Sequence, residues 1–156
     1  MLTALRKLLD QHIADLPGES DETRRKGDNV AAAALLVEVV RSDDRFSEDE
    51  RRAVLDALQR RFQLDAGEAT ELLALAETQA REAHDLFQFT SKINAAFTPE
   101  RKLRLIEELW RVAYADAVLH EYEEHLIRRV ADLLHVPHAA FISAKLRVLG
   151  DPGQKG

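Results

Sequence analysis

The chain contains no cysteine. Disulfides, thiolate nucleophiles and thiolate metal sites are therefore excluded. Chain breakers are scarce too: between Asp28 and Leu149 only Gly67, Pro99 and Pro137 occur. That favours helices over turn-rich β structure. Long apolar runs are missing. The longest, Val30 to Val37, falls far short of the roughly 18 residues that mark a membrane span. Positive charge is in the minority, with 22 Lys and Arg against 28 Asp and Glu, a net charge of −6. A protein that grips a nucleic-acid backbone needs a basic face, so no nucleic-acid partner is expected. There is no G-x-S-x-G and no glycine-rich phosphate loop, so nucleophilic and phosphate-loop chemistry find no support.

What the chain does have is apolar spacing of three and four. Leu2, Leu5, Leu9, Ile13 and Leu16 predict an amphipathic helix over Met1–Leu16. Arg6, Lys7 and Asp10 interrupt it, which argues against an export signal and leaves the cytoplasm as the default location. A peripheral membrane contact through this helix is the weaker reading, because its polar face is nearly charge-balanced. Residues 17–29 are polar and breaker-rich, and read as a linker. Asp28 or Asn29 then caps a helix over Val30–Ser42, VAAAALLVEVV at its heart, apolar on nearly every side. Such a helix belongs in the middle of a bundle. Ser47 and Glu50 form an S-x-x-E capping box that opens Glu48–Phe62. Asp65 caps Ala66–His84, and Asp85 starts a short helix ending near Phe97. Thr98-Pro99 opens a helix to Ala115. Glu121–His135 and a last helix from Pro137 to Gly150 follow, and residues 151–156 read as a disordered tail. No alternating strand pattern appears. The expectation is an all-α bundle of seven or eight helices, with residues 30–150 as one domain.

Laid over itself with a shift of 73, the chain repeats. Asp43 falls on Asp116, Glu50 on Glu123, Val39 on Val112 and Val54 on Ile127. With one residue deleted, Leu64 falls on Val136 and Asp65 on Pro137. The pattern predicts two pseudo-symmetric helical repeats. Each has a buried helix, an Asp in the following turn, and a helix carrying Glu seven residues after that Asp.

Asp43, Glu50, Asp116 and Glu123 are the leading candidates for chemistry. Hard divalent cations need several oxygen ligands, and clustered carboxylates supply them. Symmetry would bring both turns to one end of the bundle, where Asp44, Glu48, Glu121 and Glu124 add negative charge. The competing reading is structural: an Asp in a turn satisfies local amides, and a Glu at the third helical position completes a capping box. An EF-hand is excluded, because the loop after Asp43 lacks its alternating oxygen ligands and its glycine. Among the late histidines, His120, His125, His135 and His138, no HExxH occurs. A single D-x-x-H, Asp132 to His135, falls short of the two such pairs and two further carboxylates of a ferritin-like di-iron site. Glu38 and Arg111 interrupt apolar helices at equivalent positions. They either pair with each other or reach solvent at their helix edges. Arg51-Arg52 and Arg60-Arg61 alternate with acids and read as a solvated face.

The segment LWRVAYADAVLHEYEEHLIRRVADLLHVPHAAFISAK, Leu109 to Lys145, resembles the tellurite-resistance protein B-like (TerB-like) proteins of bacteria. Their hallmark is an ADG turn followed by an acidic residue at fixed spacing and an apolar helix. Ala115-Asp116-Ala117 with Glu123, Ile127-Arg128-Arg129 and Ala131-Asp132-Leu133-Leu134 carry the likeness. Ser42-Asp43-Asp44 with Phe46 and Glu50 is similar to the family's first repeat. Asp44 and Ala117 stand where the turn glycine would be. The resemblance spans about residues 25 to 148. It implies a compact all-α fold of two repeats, one also seen in DjlA-type membrane co-chaperones. It further implies a link to tellurite or stress resistance and a metal-binding role for the repeated acids. The resulting expectation is a non-enzymatic binding module of bacterial metal or envelope stress response, with a protein partner and a divalent metal as the only cofactor considered. An adaptor without metal and a metal-dependent enzyme are the alternatives.

Overall fold

The computed structural model describes residues 21–41, 47–115 and 121–150. Asp43, Asp116 and His120, the Met1–Leu16 helix and the 151–156 tail lie outside the described residues. Among the described residues there are seven α-helices and no strand: α1 (Asp21–Val40), α2 (Glu48–Phe62), α3 (Ala66–Glu82), α4 (Phe87–Ala96), α5 (Pro99–Ala113), α6 (Glu121–Leu133) and α7 (His138–Leu149). The all-α expectation holds.

The capping signals place most boundaries. Ser47 Oγ accepts from the Glu50 amide while Glu50 Oε1 accepts from the Ser47 amide, and Asp65 and Glu68 do the same for α3. Thr98 Oγ1 accepts from Arg101 N, with Pro99 at the first position of α5. Asp85 Oδ1 receives Phe87 N just ahead of α4. One boundary differs. Residues 21–29, expected to be linker with a cap at Asp28 or Asn29, form the first turns of α1. Gly27 is the only breaker there, and the chain around it favours helix, with Glu22 and Lys26 four apart in an ion pair.

Helix α1 lies at the centre, as its all-round apolar pattern requires. Every residue from Val30 to Val40 except Glu38 is buried, and α1 packs against α2, α3, α4, α5 and α6. Its alanines, Ala31 to Ala34, are almost wholly buried and allow close approach of the neighbours. Helix α7 packs on α5, where the Phe141 ring lies 5.4 Å from that of Trp110. The shift of 73 reappears in the helix boundaries. Helices α1 and α5 end 73 residues apart, at Val40 and Ala113, and α2 and α6 begin 73 residues apart, at Glu48 and Glu121. Helices α2 and α6 are followed by the two left-handed non-glycine residues of the described chain, Gln63 and His135.

Two acids that the sequence reading passed over sit inside the α5 packing face. Glu108 is fully buried and Glu107 nearly so. Glu108 Oε1 lies 2.9 Å from Arg60 Nη2 and 3.2 Å from Arg111 Nη1, and Arg61 Nε pairs with its other oxygen. Glu107 pairs with Arg147 of α7. Arg60 and Arg61 are therefore more than a solvated face: they neutralise a carboxylate that burial would otherwise make costly. Arg111 pairs with Glu108, not with Glu38. Glu38 instead meets Arg41 at 3.4 Å at the end of its own helix.

Two outcomes follow from these charges. Replacing Arg60, Arg61 and Arg111 together by alanine leaves a buried carboxylate uncompensated and should cost about 3–5 kcal/mol in chemical denaturation. Each single replacement should cost much less, because the other two arginines remain. A triple variant as stable as the parent would refute the assignment. At Glu38, burial raises the carboxyl pKa above its ordinary value of 4.5, and Arg41 opposes that shift only in part. The folded state then holds this proton more tightly than the unfolded chain. Its contribution to stability is lost as pH rises from the ordinary glutamate value through the raised one. Glu38→Gln should flatten that stretch of the stability–pH curve and leave the Tm at pH 7 unchanged or higher; a lowered Tm at pH 7 would contradict it.

Candidate functional site

Glu50 and Glu123 are each the third residue of a helix, α2 and α6. Both are withdrawn from solvent, with 7% and 2% of their surface exposed. Their neighbours in the first turn are acidic as well: Glu48 and Asp49 in α2, Glu121 and Glu124 in α6. Carboxylates in a first helical turn are favoured by the helix dipole, so the folded chain tolerates the concentration of charge.

Helix direction sets the first turn of α2 at the end of the bundle where α5 stops. Ala53 and Asp56 of α2 share a cavity with Arg111, Tyr114 and Ala115 at the finish of α5. Arg61 and Phe62, at the other end of α2, share one with Phe97 and Arg101 at the start of α5. The two helices are thus antiparallel. The N-terminal turn of α2, holding Glu50, opens where α5 stops, and α6 begins six residues beyond Ala115.

A carboxylate offers two oxygens and about four lone-pair directions. The capping bond from Ser47 N, at 2.9 Å, occupies one direction of Glu50, and the residue remains a fit donor for a hard cation. Glu123, buried in the matching turn, is a donor of the same kind. Asp43 and Asp116 lie outside the described residues. Among the described residues no group of three or more His, Cys, Asp or Glu is arranged to hold a metal.

His135 has a structural duty. His135 adopts φ 61° just past the end of α6, and the Val136 amide reaches back to Ala131 O at 2.9 Å. This is a left-handed helix terminator. Its D-x-x-H partner Asp132 supplies a backbone carbonyl to the His135 amide at 3.1 Å. His125 pairs with Glu121 at 3.6 Å on an open surface. The sequence reading missed Glu107 and Glu108. Their signal was two adjacent acids in the apolar stripe Leu105, Ile106, Leu109, Trp110, the kind of interruption it noticed only at Glu38 and Arg111.

Among the described residues no helix is long and apolar enough to cross a membrane. A family model described as "Tellurite resistance protein TerB" matches residues 29–146. No curated protein and no solved structure matches the chain.

If His135 is a terminator and not a ligand, glycine serves better at its positive φ. His135→Gly should stabilise the fold by about 1 kcal/mol in thermal melts, with the same gain in EDTA and in zinc. A loss of stability confined to the zinc-containing sample would point to a ligand instead.

Proposed function

The chain belongs to the tellurite resistance protein TerB family, and from that premise we propose that it is a non-enzymatic binding module that takes a divalent cation at its acidic end. Asp43, Glu50, Asp116 and Glu123 are the residues that would hold the ion, and its hard-cation chemistry would neutralise carboxylates gathered by the two turns. What supports this reading is that Glu50 and Glu123, each the third residue of its helix, are both withdrawn from solvent, and that α2 opens where α5, the helix before α6, stops. In this reading the module serves tellurite or metal stress resistance and acts through a protein partner, and membership of a family described by tellurite resistance supports the first part. A second reading, an adaptor without metal, is favoured by one specific feature: the complete Ser47–Glu50 capping box already gives Glu50 a structural task.

Calorimetric titration with Mg²⁺, Ca²⁺, Mn²⁺ and Zn²⁺ separates the two. The cation reading expects saturable heat and a raised Tm, since a ligand that binds only the folded state stabilises it. At a free concentration a hundred times Kd the gain is about 2.7 kcal/mol. Both signals should disappear in Asp43→Asn combined with Asp116→Asn. No heat and no change in Tm at millimolar metal would overturn the cation reading.

A further inference from the structure

At the opposite end from the acidic turns, between the finish of α2 and the start of α5, lies an open cavity of about 180 Å³. Its walls are apolar: Leu36, Phe62, Phe97 and Leu105 contribute. Its charged residues are Arg61, Arg101, Arg104 and Glu108. Three arginines against one glutamate leave the lining with two positive charges in excess, and Glu108 is already paired with Arg61. Arg101 and Arg104 supply that excess. Both are exposed, and among the described residues neither forms an ion pair. The Arg101 guanidinium sits over the Phe97 ring, 3.9 Å from its centroid. Stacking positions this group without consuming its N–H donors. A local surplus of arginine on a chain of net charge −6 runs against the overall sign.

The size of the cavity limits the occupant. Drug-sized ligands occupy pockets of roughly 300–1,000 Å³, whereas a cavity of about 150 Å³ accepts a single benzene ring. About one apolar side chain fits. A partner that fills it and also meets the rim must carry carboxylates on either side of that side chain.

We propose that this pocket docks an acidic protein segment in which one Phe or Leu side chain is flanked by Asp or Glu. The apolar side chain enters between Leu36, Phe62, Phe97 and Leu105, and the flanking carboxylates meet Arg101 and Arg104. Such an arrangement is the usual anatomy of an interface hot spot, an apolar anchor inside a polar rim. The proposal rests on reading the chain as a binding module, and it is independent of the cation.

The test is fluorescence anisotropy on the full chain in EDTA at low salt. The probe is a labelled short synthetic peptide of Asp and Glu around one central Phe. Saturable binding is expected, weakened about tenfold or more by Arg101→Glu or Arg104→Glu and progressively by NaCl. The milder Arg101→Gln and Arg104→Gln should move it in the same direction, with helix content checked by circular dichroism. Replacing the central Phe by Ala should also weaken binding. The proposal is overturned if no saturable binding occurs at millimolar protein, if all four arginine variants bind like the parent, or if the Ala-centred peptide binds equally well. It is also overturned if phosphatidylserine vesicles, or a second copy of this chain, bind with the same arginine dependence while the peptide does not. Peptide binding without any cation heat supports the pocket and sinks the cation reading alone. Cation heat without peptide binding does the reverse.

Discussion

Everything in this fold is arranged around one helix that cannot tolerate water on any side. Helix α1 presents ten buried apolar residues between Val30 and Val40, and five other helices surround it. At about 25 cal/mol per Å² of apolar area, burial of this kind is the main force that opposes the loss of chain entropy. The alanine run Ala31–Ala34 decides how closely the neighbours approach. With no side chain beyond Cβ, it leaves little room to absorb a larger residue, and overpacking there would push helices apart. The other helices then need only one apolar face each, which is what α2, α3 and α5 offer.

Apolar contact sets proximity but says little about direction. Direction in this fold is fixed by charge. Glu108 is buried in the face of α5 that meets its neighbours, and Arg60 and Arg61 reach it from the last turn of an antiparallel α2. A slip of α2 would take two of the three guanidiniums from that carboxylate and leave only Arg111 of its own helix. The pairing therefore acts as a register pin between two otherwise smooth helices. It also separates charge along the molecule. Acids gather in the first turn of α2, Arg60 and Arg61 in its last, as the helix dipole favours. Arg101 and Arg104, at the start of α5, extend the basic end.

Much of this was legible in the residues. Ser47-x-x-Glu50, Asp65 and Thr98-Pro99 each satisfy amides that a helix start leaves bare, so local chemistry marks those boundaries without reference to the rest of the chain. The start of α1 was not legible. Gly27 and the polar run around it look like a linker, and composition alone does not count the ion pair between Glu22 and Lys26. The partners of buried charge were not legible either. Glu38 and Arg111 were visible as interruptions, but pairing is a property of three-dimensional packing, and equivalence under the shift of 73 suggested the wrong partner. The acidic site was visible as composition and spacing. The burial of its two glutamates, Glu50 and Glu123, became visible only in the packed structure. The arginine pocket left only a faint trace, Arg101 and Arg104 three apart, four and seven residues after Phe97.

The two proposed sites lie at opposite ends of the same helix pair, which invites the thought that they communicate. The structure argues against it. Coupling between sites needs an element with two arrangements whose balance both ligands shift. Helices α2 and α5 are pinned to each other by Glu108, at the border of the arginine pocket, and α1, buried from Val30 onward, packs on both. Sliding one helix past the other would break both contacts that cross between them, Arg60 and Arg61 to Glu108. A domain held this way presents its two ends as separate surfaces, one acidic and one basic, fixed at a set distance and orientation. With the proposed ligands in place, such a domain would act as a rigid spacer that carries a cation at one end and an acidic partner segment at the other.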